Sequence, residues 1–200
     1  MSNWVIGVIG GSGLYEIDGL ENAEPVSLTT PWGDPSDTLI KGHVGAVEFV
    51  FLPRHGKGHR LTPPTVPYRA NIDALKRLGC TDILSISACG SLQEQYAPGE
   101  FVMVDQFIDR TIARDKTFFG PGMVAHVSVA DPVCGRLSQL AGDAAASAGA
   151  KVHRGGTYLA MEGPQFSSRA ESHMYRAWGC DVIGMTNMPE AKLAREAELP

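Results

Sequence analysis

The stretch Gly163-Pro164-Gln165-Phe166-Ser167-Ser168-Arg169-Ala170-Glu171-Ser172 constrains this chain more than any other. The residues from Gly156 to Met161 alternate small and apolar side chains, which suits a buried strand. Gly163-Pro164 then ends the ladder, because proline has no N–H and glycine reaches turn dihedrals. Ser168 and Glu171 have the spacing of a capping box, so a helix is predicted to start near Arg169 with Ala170, Met174, Ala177 and Trp178 on one face and Gly179 as its stop. Phe166 is left on the strand-to-helix corner. At the carboxyl end of a strand an aromatic ring can stack on a flat ligand; taken alone, a cap on the core is the commoner reading.

The same grammar recurs along the chain. Trp4 to Ile9 reads as a buried strand feeding Gly10-Gly11-Ser12-Gly13. This loop fails the dinucleotide fingerprint at Glu16 and has no phosphate-loop lysine, which leaves either a plain tight turn or a nest of N–H groups with the Ser12 hydroxyl. Residues 18 to 36 carry Gly19, Pro25, Pro31, Gly33 and Pro35 and are expected to form a surface excursion. Thr38 to Val44 and Ala46 to Leu52 resemble a hairpin around Gly45.

The second of these strands empties into Pro53-Arg54-His55-Gly56-Lys57-Gly58-His59-Arg60, the densest cation cluster of the chain. Most charge runs are solvated loops. Here the glycines would let the backbone approach a ligand, and arginine offers a fork to phosphate. The spacing of His55 and His59 could suggest a metal, yet no carboxylate or cysteine stands beside them to complete a zinc set.

A helix follows from about Tyr68 to Gly79, then a strand from Ile83 to Ser87 that ends in Ala88-Cys89-Gly90-Ser91. Ser87 and the Ala88 N–H could serve an anion there, or small residues could simply pack closely. Phe101 to Val104 and Phe107 to Ile108 are short strand candidates, and 110 to 122 reads as a long loop. His126, in an apolar setting, reads by itself as a core histidine. Asp131 and Pro132 have the pattern of an N-cap and first helical position for a helix stopped by Gly149. Asp181 to Met185 is a last strand, and Glu190 to Glu198 a last helix. Alternating strands and helices argue for an α/β domain with a buried sheet.

At 200 residues, 44% of them apolar, the chain fits a single domain, 1–200. A formal charge of −5 argues against nucleic acid or an anionic membrane as partner. Scattered cysteines, an N-terminus without a basic segment and the lack of a ~20-residue apolar run lead to the expectation of a soluble, cytoplasmic protein.

Taken together, Ile9-Gly10-Gly11-Ser12-Gly13-Leu14, Arg54-His55-Gly56, Ala88-Cys89-Gly90-Ser91-Leu92, Asp105 to Thr111, Glu162 to Ser172 and Met185-Thr186 resemble the nucleoside phosphorylase superfamily with trimeric purine enzymes, and most closely its methylthioadenosine phosphorylases. The resemblance implies a single-domain α/β fold with a mixed, twisted, partly barrel-like sheet flanked by helices. It implies phosphorolysis of 5′-methylthioadenosine to adenine and 5-methylthioribose 1-phosphate, a step of purine and methionine salvage. No cofactor or metal is implied, inorganic phosphate being a co-substrate. Phosphate would lie between Ser12, Arg54, His55, Ser87, the Ala88 backbone and Thr186. Phe166 would stack on the purine with Ser167 beside it, and the Met185 backbone would hold the ribose. His59, with His126 reaching in from a neighbouring subunit of a homotrimer, would line the methylthio pocket.

The family's general acid, an aspartate, would lie beyond Pro200, together with the base-reading residues, a final strand and a helix; the domain is therefore expected to be incomplete at its C-terminus. Gln165 stands where these enzymes often carry arginine. Two alternatives remain open: a phosphorylase for another purine nucleoside or methylthioinosine, and a non-catalytic nucleoside- or phosphate-binding module. An oxidoreductase reading rests on the first glycine loop alone.

Overall fold

Three parallel strands end level with one another, and that register organises the molecule. The computed structural model describes residues 4–11 and 19–200. In it β1 (Val5–Gly10), β2 (Glu21–Val26), β3 (Leu39–Val44), β4 (Val47–Pro53) and β5 (Asp82–Ile86) form one sheet in the order β2-β3-β4-β1-β5. β1 runs parallel to both neighbours, with Gly10 opposite Pro53 on one side and Ile86 on the other. Adjacent strands lie about 5 Å apart. The segments opening at Gly11, Arg54 and Ser87 therefore leave the sheet side by side.

Burial on both faces explains the apolar run of β1. Ile9 joins Val50, Leu52, Ile72 and Leu75 on one side, whereas Ile6 and Val8 meet Phe51 on the other. The first group is covered by α1 (Tyr68–Arg77), which starts and stops where its sequence pattern predicts. The hairpin of β3 and β4 also forms as read, turning through Gly45. The surface excursion is partly a strand instead. β2 is exposed along nearly its whole length, so it shows no apolar alternation, and Pro25 is tolerated because the strand lies on the sheet's edge.

The second sheet contains β6 (Gly90–Ser91), β8 (Gln106–Arg110), β10 (Thr157–Met161) and β11 (Val182–Gly184), in the order β6-β11-β10-β8. Between them in sequence, β7 (Phe101–Met103) and β9 (Val152–Arg154) pair as a separate two-stranded ribbon. The mixed sheet is thus divided, and no closed barrel forms among the described residues. α2 (Gly135–Ser147) begins beyond the predicted Asp131-Pro132 start, with Cys134 as its N-cap and no side-chain cap bond.

β10 is an inner strand of this sheet, and its alternation sends side chains to two cores. Leu159 and Met161 meet Tyr175 of α3 (Arg169–Ala177), while Tyr158 and Ala160 meet Met188. Met188 lies at the start of α4 (Asn187–Glu196) and is itself extended, so the regular turns begin near Glu190 as the sequence indicates. α4 then packs Leu193 against α1. Beyond it, the carbonyl of Pro200 accepts the Ile83 N–H of β5 at 2.8 Å. No helix among the described residues is long and apolar enough to cross a membrane.

Candidate active site

Local chemistry builds the Phe166 corner as the sequence predicts. The Ser168 hydroxyl accepts the Glu171 N–H at 3.3 Å, and the Glu171 carboxylate accepts the Ser168 N–H at 2.7 Å, closing the capping box. Gly163 sits at φ +70°, and a Cβ there would lie 2.5 Å from the Met185 sulfur. Glycine thus lets the corner close on Met185. Ser167 is tied to Ser172, hydroxyl to hydroxyl, at 2.8 Å. Phe166 is 87% exposed, so it does not cap the core.

The cation cluster is not one clamp. Arg54 turns inward and is fully buried. Its Nε donates to Glu190 Oε1 at 2.5 Å and Nη2 to Oε2 at 3.0 Å. Nη2 also reaches Ser85 Oγ at 2.7 Å, and Nη1 the Ile86 carbonyl at 3.0 Å. The expected fork onto phosphate is closed on Glu190 instead. Burial alone would lower the Arg54 pKa, but Glu190 more than offsets it and holds the guanidinium charged. Arg60 donates to the Ser36 carbonyl, and the Lys57 N–H to Asp37. These bonds tie the loop to the segment that leads into β3.

His55 is buried beside Arg54, and its Nδ1 lies 2.8 Å from the Leu61 carbonyl. A carbonyl only accepts, so Nδ1 carries the proton and Nε2 is left with its lone pair when the ring is neutral. Burial pushes the His55 pKa down, the Leu61 carbonyl opposes this, and His59 and Arg54 lower it further. The His59 ring stacks on His55 with centroids 4.2 Å apart and is exposed on its other side.

The two sheets meet where Ser87 donates to Asn187 Oδ1 at 3.1 Å, beside buried Thr186. This contact brings the end of β5 to the end of β11. Ala88 follows as an exposed residue. Of the residues expected at the phosphate, Arg54, His55, Ser87, Ala88 and Thr186 gather at these strand ends, whereas Ser12 lies outside the described residues. His126 is exposed in an irregular segment rather than buried in a core.

Two residues that sequence reasoning missed hold the site together. Glu190 partners Arg54. Arg114, in the loop read only as polar, is fully buried at its side chain and donates to the carbonyls of Glu162, Met185 and Met188, the first at 2.6 Å and the last at 2.7 Å. It also donates to Tyr68 Oη at 2.9 Å. Glu162 accepts the Ile112 N–H at 2.6 Å, so the loop is fastened at both its backbone and its arginine. A single arginine in a glycine-bearing stretch gives no local sign of such partners.

Level strand ends, an aromatic left in solvent and a buried arginine beneath clustered polar groups define a class of protein, and comparison with known proteins agrees with it. Residues 5–200 match the family model described as the phosphorylase superfamily. The S-methyl-5′-thioadenosine phosphorylase of Cereibacter sphaeroides is 68% identical over 195 residues, covering 98% of this chain and 67% of that protein. That of Rhodospirillum rubrum is 62% identical over 195 residues, covering 98% and 66%. Among solved structures, a methylthioadenosine phosphorylase from an antarctic soil metagenomic library superposes with TM-score 0.95 at 53% identity, covering 100% of this chain and 70% of its own. The Schistosoma mansoni methylthioadenosine phosphorylase in complex with adenine gives 0.94 at 43% identity, covering 98% and 79%. The chain belongs to the phosphorylase superfamily and, within it, to the S-methyl-5′-thioadenosine phosphorylases. It spans about two thirds of the length of the curated relatives it matches.

Proposed function

We propose that this chain performs the reaction of its family with the residues gathered at the strand ends. The enzyme is a pentosyltransferase: it cleaves 5′-methylthioadenosine with inorganic phosphate, giving adenine and 5-methylthioribose 1-phosphate. The observation that carries the site assignment is the register that sets Gly10, Pro53 and Ile86 abreast, with Ser87 bonded across to Asn187 beside Thr186.

Phosphate held there lies below the sugar. As the bond from C1′ to the purine nitrogen breaks, positive charge grows on the ribose and the anion stabilises it before a phosphate oxygen bonds to C1′. The bond's electron pair leaves with adenine, which takes a proton at N7. By family resemblance the donor of that proton is an aspartate beyond Pro200. Ser87, Thr186 and the Ala88 N–H are the anion donors, with Ser12 from the first loop. The His55 Nε2 takes the O–H of monohydrogen phosphate. Arg54 supplies a fixed positive charge beneath the site and at most one further Nη1–H, its remaining donors being held by Glu190, Ser85 and Ile86. Phe166 receives the purine face, and the Met185 backbone the ribose.

A homotrimer is part of this reading. The segment carrying His126 exposes Met123, Val124, Val127 and Val129, an apolar face suited to a second copy that would receive the histidine. His59 would line the same methylthio pocket.

The test is release of free base. Adenine from methylthioadenosine, dependent on phosphate and far exceeding hypoxanthine from inosine, is the expected result. Measuring the 200-residue chain beside one extended to the length of its relatives locates the proton donor. Phosphate-independent release, or none from either chain, would overturn the reading.

A further inference from the structure

Among the described residues, the buried hydroxyl of Tyr158 has no well-formed hydrogen bond, although the residue is only 2% exposed. Such groups are rare in native proteins, and each has a cause in strain, in function or in a bound water or ion. The ring leans along β10 toward the carboxyl ends of the second sheet and crosses Gly184 of β11, where an ideal Cβ would stand 1.9 Å from the hydroxyl oxygen. It therefore ends among groups already assigned to the anion site. The hydroxyl lies within hydrogen-bonding reach of the Thr186 N–H and the Ser87 side chain, poorly aligned with both, and within electrostatic reach of the Arg54 guanidinium. Burial pushes the phenol above its ordinary pKa, so it stays a donor throughout the working range.

Ser87 meanwhile gives its only proton to Asn187. A serine that turns that proton to an anion keeps lone pairs able to accept one in return. We infer that Tyr158 is a positioning residue of the phosphate site: when Ser87 turns its hydroxyl to bound phosphate, the Tyr158 O–H donates to Ser87 Oγ and holds it in that orientation, while Tyr158 Oη accepts the Thr186 N–H. The poorly aligned hydroxyl becomes fully bonded in the phosphate complex. This rests on the phosphorylase reading and deepens its anion site.

Tyr158→Phe keeps every ring contact and removes only the oxygen. Because an unpaired buried hydroxyl gives the fold nothing, the variant should melt at or above the temperature of the parent in phosphate-free buffer. Its KM for phosphate should rise ~10-fold, with kcat at saturating phosphate within about twofold and the KM for methylthioadenosine unchanged. In a Ser87→Ala background the same substitution should have no further effect, since the serine it positions is gone. An unchanged phosphate KM in active Tyr158→Phe, equal losses in both substrates, or additive effects with Ser87→Ala would each overturn the assignment while leaving the phosphorylase reading intact. Loss of phosphate dependence in the parent enzyme would remove both.

Discussion

Arg54 and Glu190, 136 residues apart, close a two-point ion pair at the junction of the two sheets, with the arginine wholly out of solvent. The pair fastens the loop after β4 to the first regular turn of α4. Removing one partner strands the other charge, and such cuts cost about 3–5 kcal/mol. Glu190→Gln should lower stability by roughly that amount in urea unfolding, whereas Arg54→Met with Glu190→Leu should recover much of the loss yet bind phosphate poorly. A near-neutral Glu190→Gln would mean that the charge is compensated elsewhere.

Phe166 separates a ligand platform from a structural cap. A ring left in water contributes little to the fold, so Phe166→Ala should change stability by less than about 0.5 kcal/mol. Stacking against a base is worth about 1–3 kcal/mol, so the nucleoside KM should rise by roughly 5- to 150-fold with the phosphate KM little altered. Steady-state kinetics and a thermal melt suffice. A large fall in melting temperature would return the ring to the core.

His55 should titrate below the ordinary histidine midpoint of about 6.5 in phosphate-free protein, because its neutral form is favoured by burial. A depressed folded value means that its contribution to stability is complete above about pH 6.5 and is lost as pH falls through the folded midpoint. Monohydrogen phosphate at Nε2 should move that midpoint upward. Histidine NMR read with and without phosphate tests both statements, and a free-protein midpoint at or above 6.5 would contradict the first.

Asp109 offers an independent acid-side test. Burial raises its carboxyl, but bonds from Lys192 at 2.5 Å, from Thr111 and from Lys116 outweigh this and hold it at about 2. Relative to an unfolded value near 3.9, that displacement is worth about 2 kcal/mol, present above pH ~4 and lost as pH falls toward about 2. Asp109→Asn should therefore melt roughly 4–8 °C below the parent at neutral pH. The gap should close in strong acid; a gap that persists there would assign the loss to packing instead.

What the sequence disclosed was whatever is encoded within a turn or two. The Ser168–Glu171 box, the α1 boundaries and the hairpin at Gly45 depend on neighbours in the chain, and each was legible. β2 was not, because an exposed edge strand carries no apolar period. α2 starts later than its pattern predicts, because Asp131-Pro132 has the composition of a helix start that the fold does not use. Arg54 stands out in the sequence and its partner does not: nothing local at Glu190 signals an arginine 136 positions earlier. The same holds for Arg114, whose acceptors are backbone carbonyls that any residue would present.

The crossing of the Tyr158 ring over Gly184 also limits what the two positions can hold together. The hydroxyl occupies the space that any side chain at 184 would need, so even alanine there would collide with it. While the tyrosine stays, position 184 has room for glycine alone, and shortening the ring is what would open it to a larger residue. The two positions form one steric unit, in which a larger residue on β11 is tolerable only after a smaller one on β10.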